Sequence, residues 1–209
     1  MISAVILAAG MSTRMGGPNK LLLPYRDTTL IGNMVDQVTR ARVGETLVVV
    51  GHQAELVREA LAGKPVRFVD NPGFAEGQGG SVQAGVRAVA PDATGIMICL
   101  TDLPLVETAD LNRLIDGFEE ALAQGRTVAV PVYRGERGNP VLIAASYREE
   151  VLATRGPVAG CKGIVKRYPE RVQSVEMPND HVLRDIDTMD DYRRLVAAAP
   201  AAERRAGGR

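Results

Sequence analysis

Tryptophan is absent from the 209 residues, and aromatic side chains make up only 4% of them, so stacking platforms for sugars or single-stranded bases are poorly supplied. The two cysteines, Cys99 and Cys161, lie far apart in no CxxC pair, which fits neither a disulfide-built secreted scaffold nor paired thiolate metal ligands. Both are expected as thiols in a reducing cytoplasm. His52 and His181 are the only histidines, and with no HExxH pattern zinc hydrolysis is disfavoured. An excess of either charge is missing too. The 25 basic side chains face 25 acidic ones, which argues against a general nucleic-acid or anionic-membrane binder. No apolar stretch reaches the roughly 18 residues of a membrane span. The opening MISAVILAAG has no basic flank and ends in a glycine loop instead of a cleavage site, so it reads as a first core strand.

What is present is a regular alternation of short β-branched runs and helical patterns, in a chain that is 45% hydrophobic and long enough to bury a sizeable core. Strands are expected at residues 4–8, 46–50, 66–69, 95–100, 127–130 and 172–176. Helices are expected at about 29–42, 54–62, 81–90, 109–124 and 189–198. Runs as apolar as VILAA, LVVV and IMICL suit a mostly parallel sheet covered by helices on both faces, with ligands at the C-terminal ends of its strands. VPVYRGERGNPVLI adds two extended pieces around a turn, a small mixed or antiparallel addition, followed by the helical SYREEVLA. The expectation is one α/β domain over residues 1–198. The tail 199–209, without apolar periodicity, is expected to be disordered.

The segment from Leu7 to Lys20 follows a strand, carries Gly10, Gly16, Gly17, Arg14 and Lys20, and belongs to a stretch with no carboxylate between Met1 and Arg26. A triphosphate needs backbone N–H groups at close range and fixed cations, and this segment offers both. GxxxxGK[ST] and GxGxxG are absent, and neither Ser12 nor Ser81 sits in a GxSxG elbow. Composition alone equally describes a surface loop that happens to hold two cations.

The run LAAGMSTRMGGPNKLLLP resembles the LAAGxSxRMGxxK opening of the nucleotidyltransferases related to molybdenum cofactor guanylyl- and cytidylyltransferases. The resemblance extends from Val5 to Tyr192, with TDLPL, GNP and DIDT in the family's order, and implies a Rossmann-like nucleotidyltransferase fold. It makes Arg14 and Lys20 phosphate ligands and brings the backbone of Leu7, Ala8, Ala9 and Gly10 close to the nucleotide.

Strand IMICL runs directly into Thr101 and Asp102, which places a carboxylate at the end of a central strand. Mg²⁺ is commonly held by one or two carboxylates plus substrate phosphates, so one such Asp suffices. A turn or helix cap before Pro104 explains the same residue without a metal. The family's DxP motif, which TDLPL resembles, implies the metal. Asp185, Asp187, Asp190 and Asp191 precede the last helix in a segment that looks like the family's DIDTPEDL, and Asp187 is the candidate for a second contact to metal or substrate, with Asp185 behind it. Capping and helix-dipole chemistry account for such a cluster as well.

Gly79, Gly80 and Ser81, entering a helix expected near Ser81, offer backbone donors to the nucleotide; GQGGSVQAG stands where cytidylyl relatives read more like GMSSSLRAG. Gly138, Asn139 and Pro140 resemble the family's GHP and imply the acceptor side, although a tight turn between strands reads the same. Cys161 occupies the Asp position of a GDxG motif, next to the acceptor by resemblance and a buried thiol by composition.

The resemblance implies a cytoplasmic, Mg²⁺-dependent enzyme whose acceptor phosphate attacks the α-phosphorus of a nucleoside triphosphate and expels pyrophosphate. Its LAAG, against the LAGG of guanylyl members, favours CTP, with molybdopterin as the acceptor and molybdoenzyme maturation proteins as further partners. A guanylyltransferase, a sugar- or polyol-phosphate cytidylyltransferase, and a non-catalytic nucleotide-binding or cofactor-delivery module stand as alternatives.

Overall fold

A computed structural model describes residues 1–11, 19–154 and 160–198. In chain order the elements are β1 (Ile2–Ala8), β2 (Pro24–Tyr25), β3 (Thr28–Thr29), α1 (Leu30–Thr39), β4 (Glu45–Val50), α2 (Ala54–Ala60) and β5 (Arg67–Asp70). There follow α3 (Gln78–Ala88), β6 (Gly95–Leu100), α4 (Thr108–Ala123), β7 (Val128–Tyr133), β8 (Glu136–Arg137) and β9 (Val141–Ala144). The chain continues with α5 (Arg148–Ala153), α6 (Cys161–Arg167), β10 (Val172–Glu176) and α7 (Met189–Ala198).

The main sheet has the order β10-β7-β9-β6-β1-β4-β5, with β8 added to β7. Strand β1 lies parallel to both β4 and β6, so three apolar strands form the middle. Strand β9 runs backwards between β6 and β7, as does the short β8 beside β7, while β10 is again parallel to β7. This is the mostly parallel sheet with a small antiparallel addition that the sequence pattern predicts.

Successive side chains of a strand point to opposite faces, and β1 divides the core accordingly. Ala4, Ile6 and Ala8 join Ile31, Met34 and Val38 of α1, Val57 of α2, and Leu111, Leu114 and Phe118 of α4. Val5 and Leu7 face the other way, against Val82 and Val86 of α3, Val151 of α5 and Ile164 of α6. A strand buried on both sides leaves its C-terminal edge as its natural outlet to solvent, and the loops gather there.

Differences from the expected boundaries have local causes. Helix α3 starts at Gln78 rather than near Ser81, because Gly77 adopts φ +113°, a conformation closed to ordinary L-residues, and ends the preceding loop there. Gly79 and Gly80 therefore sit in the first helical turn. The β2–β3 hairpin and α6 carry no periodicity long enough to read from sequence. Arg14 and the tail 199–209 lie outside the described residues. No helix among the described residues is long and apolar enough to cross a membrane.

Candidate active site

Strands β1 and β6 end side by side, Leu7 opposite Leu100. The Thr101 hydroxyl donates to the Leu7 carbonyl (3.0 Å), which ties the start of the glycine loop to the start of the Asp102 loop. Above this junction opens a cavity of about 300 Å³. Leu7, Ala9, Gly10 and Met11 line it from one side, Leu100, Thr101 and Asp102 from the next. Lys20, Asp187 and the segment containing Phe74, Gly77, Gln78 and Ser81 complete the wall.

The Asp102 loop is fastened at several points. The buried amide of Asn33 on α1 donates to the Pro104 carbonyl (3.1 Å), and the Asp102 carbonyl accepts from the Ile186 N–H (2.8 Å). Glu107 and Asp110 then form a reciprocal capping box that starts α4. Lys20 Nζ stands 3.8 Å from Asp102 Oδ2 and donates to the Ile186 carbonyl at 2.6 Å. Ile186 is thus gripped on both sides, its N–H by the Asp102 carbonyl and its own carbonyl by the ammonium of Lys20. That grip brings Asp187 to the same cavity as Asp102.

Burial pushes the Asp102 carboxyl above its ordinary range; Lys20 pulls it down, while Asp185 and Asp187 push it up again. Its Oδ1 is buried with no hydrogen-bond partner among the described residues. Such an orphaned anionic oxygen suits a cation. No group of three or more His, Cys, Asp or Glu among the described residues could hold a metal. A divalent ion here would take Asp102 and Asp187 and complete its shell with oxygens of a bound phosphate or water, the usual arrangement for Mg²⁺.

The candidate residues divide into those the fold gathers and those it sets apart. Leu7, Ala9, Gly10, Lys20, Ser81, Asp102 and Asp187 all line the cavity. Ala8 is buried in the core below it. Gly79 and Gly80 sit in the first turn of α3 outside the lining, which Gly77 and Gln78 of the same GQGG segment form instead. Asn71 fixes that stretch by donating to Ser81 Oγ (3.0 Å).

Gly138, Asn139 and Pro140 are outside the lining. Asn139 N–H donates to the Val182 carbonyl (3.0 Å), and a Cβ on Gly138 would meet that carbonyl oxygen at 2.4 Å, so this turn packs against the 181–183 turn. Cys161 begins α6 within the core, and burial pushes its thiol up to about 12, so it brings no negative charge to the Asp position of the GDxG motif. Asp191 is the capping residue of its cluster: with Thr188 it closes the N-terminus of α7, and those hydrogen bonds lower its pKa. Asp185 lines a second cavity, of about 480 Å³, together with Tyr25, Pro104, Leu105 and His181.

A cavity at parallel strand ends, lined by a lysine and two carboxylates, marks the class of α/β nucleotide-handling proteins. Residues 4–202 match the model of the MobA-like NTP transferase domain, and the chain belongs to that family of nucleotidyltransferases. The crystal structure of Rv0371c from Mycobacterium tuberculosis superposes with a TM-score of 0.79 at 32% identity, over 95% of this chain and all (100%) of that one. A nucleotidyl transferase from Methanothermobacter gives 0.78 at 31% identity, over 93% and 95%. The nicotine blue oxidoreductase of Paenarthrobacter nicotinovorans is 29% identical across 199 residues, 93% of this chain and 96% of that protein. Rv0371c is also known as a complex with manganese.

Proposed function

We propose that this chain transfers a nucleotidyl group from a nucleoside triphosphate to a phosphorylated small-molecule acceptor, with CTP as donor and molybdopterin as acceptor. The observation that carries this reading is the half-buried Asp102 carboxylate, whose Oδ1 is buried and unpartnered among the described residues, lining one cavity with Lys20 and Asp187 at the ends of β1 and β6. LAAG and the full-length motif order favour the donor and acceptor named.

An acceptor phosphate is already ionised at neutral pH, so its oxygen attacks the α-phosphorus without a side-chain base. The new P–O bond forms as the bond to the bridging α–β oxygen breaks, and pyrophosphate leaves with that electron pair. The remaining tasks are positioning and charge neutralisation. Lys20 supplies fixed positive charge beside the phosphates, and the family motif adds Arg14. The backbone of Ala9 and Gly10 and the first turn of α3 orient the nucleotide. Mg²⁺, held by Asp102 with Asp187, contributes neutralisation of phosphate charge when bound.

The test is incubation with Mg²⁺, molybdopterin and either CTP or GTP, reading pyrophosphate and identifying the dinucleotide. Pyrophosphate with CTP is expected, and Asp102→Ala and Lys20→Ala should each lower turnover at least tenfold, about 1.4 kcal/mol of transition-state stabilisation. Product with GTP alone overturns the donor; product only with a sugar or polyol phosphate overturns the acceptor. The full-length likeness to a protein named an oxidoreductase supports a second reading. Oxidation of NADH or NADPH by a dye acceptor, with no pyrophosphate from any pair, would establish it instead.

A further inference from the structure

We propose that His181 is a positioning residue that sets the separation of Asp102 and Asp187 and thereby the affinity of the site for a divalent cation. The inference rests on the reading of these two carboxylates as the cation-binding pair. Asp102 and Asp187 come from segments remote in the chain, and their relative placement depends on what joins those segments.

One junction is at Ile186, held by the Asp102 carbonyl and by Lys20. That junction holds a single residue, and the apolar burial of Val182 and Ile186 adds packing with little directional constraint. The second junction is His181, whose Nδ1 lies 2.9 Å from Asp110 Oδ2. It is the one side-chain-to-side-chain hydrogen bond between residues 177–187 and 101–110 among the described residues. Asp110 is only 4% exposed, and the same Oδ2 accepts the Glu107 N–H (3.0 Å) in the capping box that terminates the Asp102 loop. The buried carboxylate therefore serves both segments: it closes the first turn of α4 and receives the imidazole. With a carboxylate on this side, the Nδ1 proton is the donor.

Val182, buried beside His181, fixes the turn against the Asn139 N–H, so the fold does not depend on the imidazole alone. What His181 adds is orientation. The carboxylate oxygens that ligate Mg²⁺ must stand close to 2.0–2.1 Å from the ion, and small displacements of one ligand weaken binding steeply. Loss of a group hydrogen-bonded directly to a metal ligand typically costs about 10–100-fold in metal affinity, and His181 acts one bond further out, through Asp110, so the low end of that range is expected.

The experiment is Mn²⁺ titration of the full chain, followed by electron paramagnetic resonance, in the presence of a non-hydrolysable CTP analogue. Wild type, Asp102→Ala, His181→Ala, His181→Asn and His181→Gln are compared. Asn places its amide nitrogen where Nδ1 stands, and Gln places its own where Nε2 stands. Weakening of about tenfold is expected for His181→Ala and His181→Gln, with His181→Asn near wild type. Equal affinity of the Asn and Gln variants overturns the inference, even if the Ala variant does not fold, and so does an unchanged Ala variant. Wild-type Mn²⁺ binding that survives in Asp102→Ala would instead overturn the cation-site reading itself.

Discussion

At Asp102 the interests of the fold and of the site oppose each other. Burial raises the folded-state pKa above the unfolded value, so the native chain holds this proton to higher pH than the unfolded chain does. Stability then falls as pH rises from the ordinary carboxylate range through the raised value, and the loss persists above it. Asp102→Asn removes that penalty: at neutral pH the variant should unfold at higher urea, by on the order of 1 kcal/mol. The advantage should vanish in acid, while Mn²⁺ binding is lost. Equal urea midpoints at both pH values would refute this. Lys20, Asp102 and Asp187 are legible in sequence because each stands in a recognisable string. The Ile186 peptide is not, since backbone groups that grip a loop leave no mark on residue type, and His181 looks like any lone histidine until Asp110 is placed beside it.

Among the elements, α3 decides how closely the nucleotide-facing turn approaches the sheet. It settles onto β1 at Gly85, where a Cβ would stand 2.2 Å from Val5 Cγ1 and 3.0 Å from Val49 Cγ2. Gly85→Ala should lift the helix and destabilise the protein by about 1–3 kcal/mol, measured by urea unfolding. Because Gln78 and Ser81 ride on the same helix, the KM for the triphosphate should rise as well. Strands β1, β4 and β6 were readable to within two residues at each end, since strands buried on both faces are apolar throughout. The start of α3 was not: two glycines within a first turn look like loop, and the φ of Gly77 that actually ends the loop is invisible in sequence. Strands of two residues, such as β2 and β3, have no periodicity to detect.

For the molecule as a whole, the neutral charge total conceals a segregation. Residues 1–26 carry Arg14, Lys20 and Arg26 with no acid, whereas residues 70–110 carry Asp70, Glu76, Asp92, Asp102, Glu107 and Asp110 against Arg87 alone. The parallel order of β6, β1 and β4 brings ends of both regions to one edge, where Lys20 meets Asp102. A ligand that bridges them binds only the native state, so Mg²⁺ with CTP at a hundred times its Kd should stabilise the chain by about 2.7 kcal/mol. Scanning calorimetry should show the rise in Tm in wild type and none in Asp102→Asn. The grip on Ile186 has one more consequence, which concerns synthesis. Strands β1, β4 and β6 can pair as soon as they leave the ribosome, but the second carboxylate and its anchoring carbonyl follow every described strand of the sheet in the chain. A nascent chain can acquire its sheet well before its cavity is closed, so a stop codon ahead of Ile186 would yield the scaffold without the paired acids.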